Sequence, residues 1–143
     1  MTDIVAVAAD HGGYELKTVL LPELRALGFE VLDLGTHSAD SVDYPNFANA
    51  LAQAIGDGAA QRGVLICGTG IGMSVAANRH RHIRCALAHD ATTARLARQH
   101  NDANVLALGG RVIGTEVAKD CVRAFFTTGF EGGRHARRVA LLS

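Results

Sequence analysis

Short runs rich in apolar residues alternate with stretches of helical periodicity along the chain. The runs at 4–9, 30–34, 64–67, 83–88 and 105–108 predict five strands. Between them, Leu16, Leu20, Leu24 and Leu27 recur at helical spacing, with Pro22 as a kink and Gly28 as the stop. Pro45 suits the first position of a second helix, whose stripe of Phe47, Leu51 and Ile55 closes at Gly56. The segment 73–78 opens a third helix. Asp90 caps a fourth that runs to about His100, and Thr115 caps a fifth carrying Val117, Cys121 and Phe125.

Apolar strands that are each separated by a helix imply a parallel sheet covered on both faces. The pattern therefore predicts an α/β fold: a three-layer αβα sandwich around a doubly wound, five-stranded parallel sheet in the flavodoxin-like order 2-1-3-4-5. Ligands of such sheets sit beyond the carboxyl ends of the strands, where the order reverses between strands 1 and 3. Those two ends are Asp10-His11 and Cys67-Gly68-Thr69. An acid, an imidazole and a thiol are thus expected around one crevice.

Composition narrows the setting. A chain of 143 residues fits one domain over 1–143. With 14 basic and 14 acidic side chains the formal net charge is zero, which gives no reason to expect a nucleic-acid or membrane-surface partner. No apolar run approaches the ~20 residues that cross a bilayer, and the first residues lack a signal peptide's basic segment. Cys67, Cys85 and Cys121 are odd in number and unpaired by spacing, as expected of reduced thiols in a cytoplasmic protein.

The chemistry concentrates in "VLICGTGIGMSVAAN", residues 64–78. A strand, a glycine-rich turn and a helix start present free amide N–H groups, an arrangement suited to an anion. No Lys-Ser/Thr follows, so this is not a Walker loop. A dinucleotide loop has Gly68 and Gly70 in its favour, with Asp90 at about ~20 residues beyond. However, Met73 stands where that fingerprint needs its third glycine. Cys67 ends a strand before a loop whose amides can stabilise a thiolate, as nucleophile or as base. Thr69 and the amides of Gly70, Ile71 and Gly72 can hold an oxyanion. His100-Asn101-Asp102 can be a plain helix cap, but its polar side chains also suit proton transfer. Arg111 follows the fifth strand at the edge where an anion would bind. Arg134 and Arg138 are four residues apart, and on spacing alone read as a solvated basic tail. Arg79-His80-Arg81-His82 reads as an exposed loop, with no third metal ligand evident.

Taken in order, "AADHGG" (8–13), "DYPNFA" (43–48), "CGTGIGMSVAAN" (67–78), "RQHNDANVLALGGRVIG" (98–114) and "GGRHARRV" (132–139) resemble the type B ribose-5-phosphate isomerases and the galactose-6-phosphate isomerase subunits. The resemblance implies a cofactor-free and metal-free aldose–ketose isomerase of a phosphorylated sugar. Cys67 would then be the base that moves a proton between C2 and C1 through an enediolate. Thr69, with backbone of Gly68, Gly70, Ile71 and Gly72, would hold the enediolate oxygen. His100 would open the sugar ring by proton transfer, with Asp10 helping to hold the ring or its hydroxyls. His11, Arg134 and Arg138 would grip the phosphate, with Arg111 and Asn101 also on the substrate. It further implies a homodimer with shared sites, leaving open whether dimers pair into tetramers. Relatives that lack the cysteine use a glutamate where this chain has Met73, so the chain is expected to be thiol-dependent. The basic run at 79–82 leaves sugar length open among four, five and six carbons. The competing expectation is a non-catalytic phosphosugar or nucleotide binder using the same crevice.

Overall fold

The computed structural model describes residues 3–142. Strand and helix alternate as β1 (Ile4–Ala9), α1 (Tyr14–Ala26), β2 (Glu30–Asp33), α2 (Tyr44–Gly56), β3 (Arg62–Cys67), α3 (Ile71–Ala77), β4 (Cys85–Leu87), α4 (Ala91–Asn101), β5 (Val105–Gly109), α5 (Thr115–Phe126) and α6 (Arg134–Ala140). The strands pair in parallel, in the order β2-β1-β3-β5-β4.

Both faces of the sheet are covered, as the apolar strands require. Val5, Val7 and Ala9 alternate with Ala6 and Ala8, so the first set joins one core and the second the other. Helices α1, α4 and α5 close the first core, while α2 and α3 close the second. Leu20, Leu24 and Phe125 are fully buried there. Each such side chain contributes about 1.5–3 kcal/mol relative to exposure.

The fold class is the expected one, but the last two strands exchange places. β5 rather than β4 lies beside β3. Every residue of β5 is buried, so it needs a neighbour on each side. β4 has three half-buried residues instead of the six expected over 83–88, which suits a sheet edge. Chain connections running toward β4 carry α2 and α3 on one face, and those running back carry α1 and α4 on the other. All crossovers therefore have one hand.

Local signals acted mostly as read. Asp90 caps α4 through a 2.7 Å bond from the Thr93 amide to its carboxylate. Gly28, at φ 98°, ends α1, which runs unbroken across Pro22. Gly114 rather than Thr115 precedes α5, and α3 begins at Ile71 because Gly70, at φ 81°, already turns the chain.

Lys17 on α1 is a departure from its amphipathic pattern: it is only 2% exposed. Its Nζ lies 2.7 and 2.9 Å from the two carboxylate oxygens of Asp33, at the end of β2. Burial alone would raise the Asp33 pKa. The Lys17 hydrogen bond and charge, the Gly35 amide and His37 outweigh it, so the carboxyl titrates below its ordinary value.

Candidate active site

Three loops converge at the carboxyl edge of the sheet. After β1, the buried Asp10 accepts from the amides of Gly12 (2.8 Å) and Gly13 (3.2 Å) through Oδ1, which folds residues 10–13 into a tight turn. After β3, the Gly68 carbonyl accepts from the Arg111 amide at 2.9 Å, and the Cys67 carbonyl accepts from Gly110 at 2.8 Å. These bonds tie the β3 loop to the one after β5. The turns of β1 and β3 touch directly: a methyl added to Gly12 would lie 3.0 Å from the Gly68 nitrogen. The Arg111 guanidinium spans Gly68, at 3.3 Å from where a methyl there would stand.

Cys67, 5% exposed, is the last residue of β3. Its Sγ accepts a hydrogen bond from the Gly70 amide at 3.1 Å. Gly70 is needed for this geometry. Besides its positive φ, an added methyl would sit 2.6 Å from Leu87 Cδ1 and 2.9 Å from the Leu108 carbonyl carbon. Thr69 is exposed, and its Oγ1 accepts from the Ile71 amide at 3.2 Å, which leaves the hydroxyl proton free to donate outward. Gly72 lies in the first turn of α3, where amides have no acceptor within a helix.

The other thiols differ. Burial, with a smaller contribution from Cys67, pushes Cys85 up to about 12; burial, aided by Asp90 and Asp120, pushes Cys121 up to about 11. Neither is suited to nucleophilic or basic chemistry.

His11 projects from the β1 turn. Its Nδ1 lies 3.1 Å from the Val42 amide, which can only donate, so the neutral ring carries its proton on Nε2. Tyr44, in the first turn of α2, was not anticipated: its ring stands 2.7 Å from where a methyl on Gly72 would be. A solvent-facing tyrosine beside a proline is an ordinary helix start in sequence, and only the packing reveals it at this loop.

The remaining candidates lie at the opposite end. α4 descends from the carboxyl end of β4 to the amino end of β5, and His100 and Asn101 occupy its last turn. Cys67 pairs with Gly109, four residues beyond Val105 where β5 begins. Strand rise of ~3.3 Å per residue puts Cys67 at least ~13 Å from the His100 end. At that end, His100, Asn101, His135, Arg138, Val139 and Leu142 line a cavity of ≈ 300 Å³. Arg134 and Arg138 are exposed one turn apart on α6. A second cavity of ≈ 510 Å³ adjoins it, sharing Asn101 and Leu142 and including Arg81 and Arg84. Within one chain the candidate residues thus fall into two groups: Asp10, His11, Cys67 to Gly72 and Arg111 at one edge, and His100, Asn101, Arg134 and Arg138 at the other.

Within the basic run at 79–82, the two histidines serve packing. His80 Nε2 lies 2.9 Å from Asn49 Oδ1, and His82 Nε2 lies 2.8 Å from the Ala52 carbonyl, fastening this loop to α2. Among the described residues, no helix is long and apolar enough to cross a membrane.

A buried thiol at the end of a parallel strand, a glycine turn donating to it and an Asp-His turn alongside thus lie together at the carboxyl edge of an α/β sheet. Residues 5–142 match the sequence profile described as Ribose/Galactose Isomerase, and the chain belongs to that family. It is an enzyme, an aldose–ketose isomerase. It is 45% identical to ribose-5-phosphate isomerase B of Escherichia coli K12 over 97% of this chain and 93% of that protein. It is 43% identical to D-erythrulose-4-phosphate isomerase of Pectobacterium atrosepticum over 94% and 90% of the two chains. The ribose 5-phosphate isomerase structure from Thermotoga maritima superposes with a TM-score of 0.95 at 48% identity, covering 99% of this chain and 98% of that one. The family read from the motifs is thereby established.

Proposed function

We propose that this protein interconverts ribose 5-phosphate and ribulose 5-phosphate through an enediolate, in a homodimer whose two sites each draw on both chains. The observation that carries the reading is the separation of the candidate residues into two half-sites, each bordered by exposed apolar side chains. Ile71 (54% exposed) and Val75 (55%) lie one turn apart on α3 beside the thiol loop; Leu141 (76%) and Leu142 (66%) lie beside the His100 cavity. A two-fold axis that sets one chain's amino edge against the other's carboxyl edge completes two equal sites and buries both apolar rims.

In that arrangement the partner supplies His100, Asn101, Arg134 and Arg138. His100 moves a proton to the ring oxygen while the anomeric hydroxyl loses one, which opens the sugar to its aldehyde. Cys67, as thiolate, takes the proton from C2. Charge passes to the O1 oxygen, where Thr69 Oγ–H and the first amides of α3 donate to it. The C2 hydroxyl proton then passes to O1 as Cys67 returns its proton to C1, giving the ketose. A positioned base and a prepared oxyanion site each contribute about two to four orders of magnitude. His11 Nε2–H, Arg134 and Arg138 hold the phosphate, Arg111 and Asn101 bind hydroxyls, and Asp10 fixes the turn that carries His11. Phosphate binding far from C1 and C2 aligns the reacting carbons. The D-erythrulose-4-phosphate relative puts the four-carbon ketose among the alternative substrates.

Incubation with ribose 5-phosphate in deuterated water tests the reading. Ribulose 5-phosphate forming, with solvent deuterium at the transferred position, is expected. Higher kcat/KM on a four- or six-carbon phosphosugar would reassign the substrate, and binding without exchange would leave only a sensor.

A further inference from the structure

At the same amino edge His100 belongs to a cluster whose other two members, Glu131 and His135, ring opening does not use. His100 Nε2 lies 3.9 Å and His135 Nε2 3.7 Å from Glu131 Oε1, and the three donor atoms fall within 4.8 Å of one another. The two imidazoles stack, with ring centres 4.4 Å apart and planes 14° apart. These contacts are too long for hydrogen bonds. They are close to the separation of ~3.4 Å between ligands of a tetrahedral ion with bonds of ~2.1 Å.

The backbone holds the three groups together. The Glu131 amide donates to the Gln99 carbonyl at 3.0 Å, which pins the residue against the last turn of α4. Gly132 and Gly133, both at positive φ, then turn the chain so that His135 comes back beside Glu131. His135 is 10% exposed and fixed; His100 (39%) and Glu131 (52%) have room to move toward it.

We propose that His100, Glu131 and His135 bind one zinc-class divalent ion per chain, and that filling this site withdraws His100 from ring opening and so inhibits the enzyme. Two imidazoles and one carboxylate suit zinc and its neighbours and not magnesium or calcium, which take oxygen ligands. The cavity leaves a fourth position open to water. Arg138 on the cavity wall opposes a cation, but it is exposed and can turn to solvent. The inhibitory half rests on the isomerase reading above; ion binding does not.

Titration of the full-length Cys67→Ala protein with cobalt(II) tests binding, since that background removes the thiolate as a competing soft ligand. One equivalent per chain is expected, with the visible absorption of a four-coordinate ion, displaced by zinc. Adding Glu131→Gln or His135→Ala should weaken binding by at least the roughly 10–100-fold that loss of a supporting partner costs. Absence of saturable binding, or affinity unchanged by both substitutions, overturns the site. With Cys67 intact, zinc at the filling concentration should suppress turnover, and Glu131→Gln should abolish that suppression while leaving turnover in chelator unchanged. Equal zinc inhibition of both proteins overturns the inhibitory half. Failure of the isomerase reading would leave the cobalt result standing.

Discussion

The Gly70 amide donates to Cys67 Sγ at 3.1 Å, across a turn that Gly70 itself makes possible. The contact singles out one sulfur of three. Cys67 is expected to react with iodoacetamide near pH 8, while Cys85 and Cys121, raised to about 12 and about 11, stay unmodified in the folded protein. Peptide mass mapping checks this; modification of Cys85 or Cys121 ahead of Cys67 would contradict it. No Cys67–Cys85 disulfide is expected on oxidation. β5 lies between their strands, and Cys85 pairs with its first residue while Cys67 pairs with its last.

Gly70→Ala should damage stability and catalysis together. The added methyl meets Leu87 and the backbone of Leu108, and the positive φ costs about 1–2 kcal/mol in addition. A fall in Tm with a fall in kcat exceeding tenfold is expected, with a smaller change in KM, because the thiol and oxyanion amides move while the phosphate groups do not. A variant with wild-type Tm and kcat would show that the turn tolerates a side chain.

The Lys17–Asp33 pair sets an acid limit on stability. Because the folded-state pKa of Asp33 lies below the ordinary value of 3.8, the carboxylate's contribution is present above the unfolded pKa. It is lost as pH falls through the folded value. Denaturant melts from pH 7 to pH 2 should therefore show a decline below about pH 4 that is shallower in Asp33→Asn. That variant should also lose about 3–5 kcal/mol at pH 7, since Lys17 is left buried with its charge uncompensated. A variant as stable as the parent at pH 7 would mean that Lys17 finds another partner.

Sequence patterning located the sheet because parallel strands buried on both faces read as short apolar runs, and the glycine turn because no strand tolerates alternate glycines. It missed the exchange of β4 and β5, since their order depends on which strand is buried from both sides. Lys17 was unreadable because a lysine among leucines looks like a solvent-facing position until Asp33 is folded across from it. The two half-sites were partly legible: a residue closing the helix before β5 must lie at the amino edge of a parallel sheet. His135 was passed over because its partner, Glu131, precedes the helix and meets it only through the Gly132-Gly133 turn.

The proposed division of the site between chains is tested by complementation. Cys67→Ala and His100→Ala proteins should each be nearly inactive, and unfolded mixtures refolded together at equal amounts should recover about a quarter of wild-type turnover, because half the dimers are mixed and each has one intact site. A mixture no more active than either variant alone, with mixed dimers shown to be present, would contradict the shared site.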